Sequence, residues 1–260
     1  MIKLNVDTSG AGPDLVLIHG WAMNNLIWKE LLRELEKSYR VTCVELPGHG
    51  SSQHYDAWTL DELLQAMDES LPATCSILGW SLGGMIALAY ADKYPSRVAK
   101  LIMLASSAKF VQSKDWKNAQ PIETLRLFSE GLSGNPFAAI KRFLMLQTQG
   151  LDHPKKLNLL LRDALKVGGE ASNNGLKSGL NVLQKADLRE SLRTIHCTLL
   201  MIFGEKDQLV PAAVAADSLD INPDINVLTI GQASHVPFLS HQNDVLQAVD
   251  HFMLRDGALK

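Results

Sequence analysis

Short unbroken apolar runs alternate with helical stripes over the first hundred residues. Leu15-Val16-Leu17-Ile18 is apolar throughout and ends at His19-Gly20. Residues 25–37 then place Leu26, Trp28, Leu31, Leu32 and Leu35 on one helical face. A second run, Val41-Thr42-Cys43-Val44, closes at Leu46-Pro47-Gly48-His49-Gly50, after which Leu60, Leu63, Leu64 and Met67 recur at helical spacing over 59–69. Ser76-Ile77-Leu78 and Val98 to Leu104 read as further strands on either side of a small-residue helix at 82–93. Strands covered on both faces read as continuous apolar runs, and strands separated by helices build a parallel sheet. The pattern resumes with strands at 198–203 and 226–230 and helices at 211–219 and 242–254. The predicted fold class is α/β, with a mostly parallel central sheet flanked by helices.

Between Lys109 and Arg189 the strand signal disappears. Helical patterns run from Pro121 to Glu130, Pro136 to Gln149, Pro154 to Val167 and Ala171 to Leu183. Pro and Gly punctuate them, as suits first turns and helix ends. We therefore expect a core domain made of 1–108 and 190–260, with 109–189 inserted as an all-helical cap subdomain. Such a cap would lie over the carboxyl edge of the sheet, where open α/β sheets bind ligands.

Composition narrows the class. The chain has 260 residues, 46% of them hydrophobic, and a net charge of −3, which argues against nucleic acid or anionic lipid as a general partner. No apolar run approaches the roughly 18 residues that a membrane span needs. The start, Met1-Ile2-Lys3-Leu4, lacks the basic and apolar segments of a secretory signal. Cys43, Cys75 and Cys197 are scattered and odd in number, so neither a disulfide framework nor a zinc site is expected, and a cytoplasmic location fits. They sit in or beside strands, as small apolar residues do. No nucleotide-binding glycine loop and no metal-ligand spacing occur, so we expect neither cofactor nor metal.

Gly79-Trp80-Ser81-Leu82-Gly83 matches G-x-S-x-G between a predicted strand and a predicted helix, the context in which such a serine is a nucleophile. A sharp strand-to-helix reversal strains the serine backbone and tolerates only small neighbours, and Gly84 adds slack. A serine needs a base, and the base needs an acid to fix its tautomer, in the chain order Ser, Asp or Glu, His. Asp207 follows the strand at 198–203, and His235 follows the strand at 226–230. Glu205 is the rival acid, but Asp207 leaves more loop to reach across. His241 and His251 fall at or within the last helix, and His49, His54, His153 and His196 do not follow a late strand. Ala105-Ser106-Ser107-Ala108 offers no alternative carboxylate. The oxyanion hole is assigned to the backbone N–H groups of Leu82 and of Trp21, the latter at the end of the first core strand. His19 is read as a brace for that loop, and Trp21 as a lining of the acyl pocket.

On these motifs the chain resembles the α/β-hydrolase family over essentially its whole length, and within it the BioH-type esterases. The matching stretches are His19-Gly20-Trp21, Leu46 to Gly50, Gly79 to Gly84, Ala105-Ser106-Ser107, Arg142 to Thr148, Asp207 to Pro211 and His235 to Phe238. The resemblance implies the α/β-hydrolase fold and a serine carboxylesterase that hydrolyses pimeloyl-acyl-carrier-protein methyl ester in biotin synthesis. It also implies Ser81 as nucleophile, His235 as base and Asp207 as its acid. Substrate contacts would come from Trp21, Leu82, Phe143, Leu144, Met145, Leu146, Gln147 and His235. One departure is that the family's Gly-x-x-Asp-Gly is here Gly204-Glu205-Lys206-Asp207-Gln208, with a bulkier last residue.

Charge then adds a partner. Residues 109–189 hold 13 Lys and Arg against 7 Asp and Glu, while the rest holds 12 against 21. Lys141, Arg142, Lys155, Lys156, Arg162 and Lys166 fall on two consecutive predicted helices, a basic face suited to an acidic acyl-carrier protein bearing the ester. Small-molecule esters would be further substrates, and a monomer is expected. The alternatives are a general short-chain carboxylesterase, a carbon–carbon hydrolase or perhydrolase, and a non-enzymatic small-ligand receptor of the same fold. A receptor would call for an appended partner-binding element, which the sequence does not show.

Overall fold

The computed structural model describes residues 2–52 and 56–254. His54, among the histidines weighed above, lies outside them. In chain order the core opens with β1 (Asn5–Ser9), β2 (Asp14–Ile18), a 3-10 turn (Asn25–Trp28), α1 (Lys29–Leu35), β3 (Arg40–Glu45), α2 (Leu60–Ser70), β4 (Cys75–Trp80), α3 (Leu82–Lys93) and β5 (Val98–Leu104). Four helices follow: α4 (Ile122–Gly134), α5 (Pro136–Gln147), α6 (Pro154–Gly168) and α7 (Asn173–Lys185). The core resumes with α8 (Arg189–Thr194), β6 (Thr198–Gly204), α9 (Val214–Ile221), β7 (Asn226–Ile230), α10 (Pro237–Ser240) and α11 (Gln242–Leu254).

The strands form one sheet in the order β1-β3-β2-β4-β5-β6-β7. Only the β1–β3 pair is antiparallel. Strand order reverses between β2 and β4, which opens a crevice at their carboxyl ends. Leu15 to Ile18 and every residue of β4 are buried, as their unbroken apolar runs require. Helix α3 is buried on nearly all sides and so has no polar stripe; its glycines and alanines let it lie close to the sheet. Helix α2 shows the opposite habit. It buries Leu63, Leu64 and Met67, exposes its charges, and starts at a Thr59–Glu62 capping box.

Three expectations need correction. The edge strand β1 was not predicted, because its sequence, NVDTS, is polar and half exposed. The single helix expected over 25–37 is a 3-10 turn followed by α1, started by the Asn24 side chain accepting from the Leu26 N–H. The helix expected from 211 begins at Val214, after a turn that Pro211 opens. Two short helices, α8 and α10, were also not foreseen.

The helices α4 to α7 are fastened to loops that follow the strands. Asn24 donates to the carbonyls of Ala164 (3.0 Å) and Gly169 (3.3 Å). The Ser172 N–H donates to the Gly48 carbonyl (2.6 Å), and the Trp58 N–H to Ser178 Oγ (3.0 Å). At the two stems, the Leu188 N–H meets the Ala108 carbonyl (2.9 Å) and Lys109 pairs with Asp187 (2.8 Å).

Two fully buried histidines sit beneath the loops after β2 and β3, 5.4 Å apart. His19 Nε2 accepts from the Leu46 N–H (3.1 Å), and its Nδ1 lies 2.8 Å from the Gly20 carbonyl. His19 thus ties the two loops together as a neutral ring. Burial, with His49 alongside, holds its pKa down to about 3. Burial likewise lowers His49 to about 4, against a bond from Nδ1 to the Pro47 carbonyl.

Two predictions follow from this packing. A methyl group at Gly83 would collide with the Ile18 and His19 carbonyl oxygens, whereas one at Gly134 meets nothing within 4 Å. In urea unfolding, Gly83→Ala is expected to cost about 3 kcal/mol or more, by overpacking. Gly134→Ala should leave stability unchanged or raise it by up to about 1 kcal/mol. The second concerns acid. The unfolded histidines bind protons near 6.5 and the folded ones only near 3 and 4, so the unfolded state holds more protons between these values. Stability should therefore fall as pH drops below 6.5, by up to about 1.4 kcal/mol per pH unit for each histidine. His49→Asn, which keeps a donor near the Pro47 carbonyl, should remove one histidine's share of the slope between pH 6 and 4. An unchanged slope would refute the assignment.

Candidate active site

Strand β4 ends at Trp80 and α3 starts at Leu82, so Ser81 alone makes the turn, with φ 55° and ψ −117°. That left-handed φ is costly for a residue with a side chain and persists only where the surroundings impose it. Here the Ser81 N–H donates to the Leu104 carbonyl (2.9 Å), and Ser106 Oγ donates to the Ser81 carbonyl (2.7 Å). A methyl group on Gly79 would strike the Gly83 carbonyl, and one on Gly84 would meet the Ser106 side chain at 2.5 Å. The close approach of strand, helix and the loop after β5 thus fixes the serine.

His235 bridges the serine and the acid. Its Nε2 lies 2.9 Å from Ser81 Oγ, and its Nδ1 lies 2.8 Å from Asp207 Oδ2. A carboxylate at Nδ1 draws the ring proton there and leaves Nε2 to accept from the hydroxyl. Asp207 Oδ1 accepts from the N–H groups of Leu209 (2.8 Å) and Val210 (3.0 Å), so both carboxylate oxygens are engaged. Ser81, Asp207 and His235 are 5%, 3% and 0% exposed, which shields these bonds from competing water.

Sequence reasoning missed the supports of this array. The Trp80 indole N–H donates to the His235 carbonyl (2.8 Å), and its rings pack on Phe238, which packs on Trp28. The residue between Gly79 and Ser81 is therefore a floor under the histidine. Ser234 Oγ ties the adjacent position to the Gln147 carbonyl of α5 (2.9 Å). The rival acid Glu205 instead accepts from the Gln232 N–H (2.8 Å). His153, His196 and His251 are exposed, and His241 bonds to Ser240.

Gly83, next to Leu82, abuts the carbonyls of Ile18 and His19, which precede Trp21 in the loop after β2. Neither the Trp21 nor the Leu82 N–H donates to a protein acceptor among the described residues. The 143–147 stretch lies on α5 and cannot face one side as a unit. Phe143 packs edge-on against Trp21, with ring centroids 4.8 Å apart, whereas Met145 is 60% exposed. Leu144 and Leu146 line different grooves, on opposite sides of α5. Gln147 is fully buried, and neither atom of its amide has a protein partner. Leaving such a group unpaired costs about 1–3 kcal/mol, so it suits a polar ligand atom.

All six basic residues singled out on α5 and α6 are exposed, and none forms an ion pair among the described residues. Lys141, Arg162 and Lys166 line one groove of about 530 Å³ between α5 and α6, with Phe137, Leu144 and Leu159. Arg142 lines the groove on the far side of α5, and Lys155 and Lys156 lie at the start of α6. The groove between α5 and α6 also carries Asp163 and Glu170, which temper its charge.

Among the described residues no helix is long and apolar enough to cross a membrane. The thiols of Cys43 and Cys75 are buried, which pushes both up to about 12 and removes them as nucleophiles.

Comparison with known proteins accords with this geometry. The alpha/beta hydrolase fold family matches residues 13–242. The pimeloyl-[acyl-carrier protein] methyl ester esterase of Nitrosomonas europaea is 34% identical over 250 residues, 96% of this chain and 99% of that protein. The esterase of the same name from Photobacterium profundum is 37% identical over 246 residues, 95% of this chain and 96% of the relative. Among solved structures, an esterase from Exiguobacterium antarcticum superposes with a TM-score of 0.86 at 24% identity, covering 96% of this chain and 95% of the other. A bromoperoxidase from Bacillus anthracis gives 0.88 at 22%, covering 98% and 96%. The chain belongs to the alpha/beta hydrolase fold family.

Proposed function

We propose that the protein is a serine carboxylesterase that hydrolyses the methyl ester of pimeloyl-acyl-carrier protein, a step of biotin synthesis, and also turns over short-chain esters. The observation that carries the reaction type is the hydrogen-bonded line from Ser81 Oγ through His235 to Asp207, at 2.9 and 2.8 Å. The substrate is supported by the names of relatives about a third identical over nearly the whole chain.

Ser81 Oγ attacks the ester carbonyl carbon while His235 Nε2 takes the hydroxyl proton. The carbonyl oxygen becomes an oxyanion, held by the N–H groups of Trp21 and Leu82. The carbon–oxygen bond to the alcohol breaks, and His235 returns the proton to methanol as it leaves. A water molecule then gives its proton to His235, attacks the acyl-serine, and releases the carboxylate and the free serine. Asp207 orients the ring and stabilises the imidazolium formed at each step. Trp21 and Leu82 also contact the acyl chain, with Phe143 and Gln147; Leu144 and Leu146 lie on opposite sides of α5 and do not both reach it, and the exposed Met145 is the least suited to do so.

Residues 1–108 and 190–260 act in this reading as the catalytic core and 109–189 as a cap that selects substrate. Because Ser81 is only 5% exposed, an ester carried on a protein reaches it when cap helices move aside. The exposed bases Lys141, Arg142, Lys155, Lys156, Arg162 and Lys166 would steer the acidic carrier onto the cap.

Two measurements test these roles. Ser81→Ala should lower kcat on p-nitrophenyl butyrate by about 10⁴-fold or more; unchanged turnover would refute the nucleophile. Reversing Lys141, Arg162 and Lys166 to Glu together should lower kcat/KM for the carrier-bound methyl ester by about tenfold or more at low salt. The same variant should stay within about twofold of the parent on the small ester, since Ser81, His235 and Asp207 do not line that groove. Equal losses on both substrates would count against docking.

A further inference from the structure

The indole of Trp21 belongs to a different part of the molecule from its backbone. The backbone continues from β2 through His19 and Gly20, beside the start of α3. The side chain is 1% exposed and surrounded by cap helices. Its Nε1–H donates to the Leu176 carbonyl of α7 (2.8 Å). Phe143 of α5 meets the ring edge-on, and Phe128 of α4 lies 6.3 Å away between centroids. Gly179, one helical turn beyond Leu176, rests against both the indole and Leu82. A methyl group there would sit 2.8 Å from Trp21 Cδ1 and 3.0 Å from Leu82 Cδ2. One glycine of α7 thus touches the side chains of the two residues whose N–H groups are assigned to the oxyanion hole.

The loop that carries the Trp21 N–H is also strained. The next residue, Ala22, has φ 62°. A non-glycine residue holds such a conformation only where neighbouring contacts over-determine it. The Trp21 indole supplies those contacts from α4, α5 and α7.

We infer that Gly179 and the Leu176 carbonyl of α7 position the Trp21 and Leu82 N–H groups, so that the oxyanion hole is set by the seated cap and not by the core alone. Gly179 is a positioning residue: it touches no reacting atom, and it acts by letting α7 close onto Trp21 and Leu82 without displacing them. The inference rests on Ser81 as nucleophile and on those two N–H groups as oxyanion donors.

Three variants test it. Gly179→Ala intrudes on Trp21 and Leu82. Gly175→Ala is its control, because a methyl group there crowds the Pro47 carbonyl (2.9 Å) and Gly48 Cα (3.1 Å) from the same helix without reaching either residue. Trp21→Phe keeps an aromatic ring and removes the bond to the Leu176 carbonyl. The readouts are kcat and KM on p-nitrophenyl butyrate, thermal midpoint, and affinity for an alkyl trifluoromethyl ketone, whose adduct with the serine places an oxyanion in the hole. Loss of a whole oxyanion donor costs about 10²–10³-fold in kcat, and displacement of one should cost about tenfold. We expect Gly179→Ala and Trp21→Phe to lose about tenfold in kcat and in ketone affinity with KM within about threefold, and Gly175→Ala to keep both at matched folded fraction. The inference is overturned if Gly179→Ala binds the ketone as tightly as the parent, or loses activity only in step with Gly175→Ala. If Gly179→Ala does not fold, an unchanged kcat in Trp21→Phe overturns it. Failure of the parent enzyme to bind the ketone would instead refute the Ser81 reading.

Discussion

Gly83 leaves no space for a side chain between the first turn of α3 and the carbonyls of Ile18 and His19, and the site is organised around that closeness. It sets the Leu82 N–H beside the loop that carries the Trp21 N–H. It also forces the chain to reverse within one residue, which gives Ser81 its φ of 55°. Gly79 and Gly84 meet the same demand from the strand side and from the loop after β5. Helix α3 answers it by being small and buried throughout, with hydrophobic packing on every face in place of a solvated side. The geometry of three elements is thus spent on presenting one buried hydroxyl to His235.

Strain recurs around the same rim. Among the described residues, four that are not glycine have positive φ: Ala22 after β2, Ser81 after β4, Ala105 after β5 and Gln232 after β7. Each follows a strand of the sheet, so the conformational cost is concentrated at its carboxyl edge. Hydrogen bonds hold these turns in place. The Ala105 N–H donates to the Ile202 carbonyl, the Ser81 N–H to the Leu104 carbonyl, and the Gln232 N–H to Glu205. The last bond accounts for Glu205, the carboxylate nearer the end of β6: it braces the loop before His235 and leaves the ring to Asp207.

The parts of this arrangement legible in the sequence are those with a local signature. Unbroken apolar runs placed β2 to β7, and the limits of α3, β5, β7 and α11 coincide with the expected ones, since burial or a turn ends each abruptly. Strand–turn placement put Ser81, Asp207 and His235 on one edge, and they are hydrogen-bonded there. What escaped notice depends on partners remote in sequence. Strand β1 is polar because its outer edge is exposed, and only its pairing with β3 makes it a strand. Trp80 reads only as part of the Gly79–Gly84 motif, and its bond to the His235 carbonyl spans 155 positions. The run 143–147 read as one substrate-contacting block, yet a helix distributes five consecutive residues around its axis, which turns Met145 to solvent.

The charge contrast between residues 109–189 and the rest of the chain takes on a second meaning beside the anchoring of helices α4 to α7. Helix α7 is fastened to the core through Ser172, Leu176, Ser178 and Gly179, on the loops after β2 and β3 and on Trp58. The exposed bases lie elsewhere, on α5 and α6, whose hydrogen bonds outside the four helices fall late in each, Gln147 with Ser234 and Ala164 with the adjoining Gly169 on Asn24, while Phe143 of α5 packs on Trp21. The four helices therefore combine one fixed against Trp21 and Leu82 with a basic pair whose hydrogen bonds outside the four helices lie toward one end. Because Phe143 of α5 meets the Trp21 indole, movement of the basic pair would reach the loop after β2 through that contact. A partner on the basic pair and the geometry of the Trp21 loop would thus be coupled through α5.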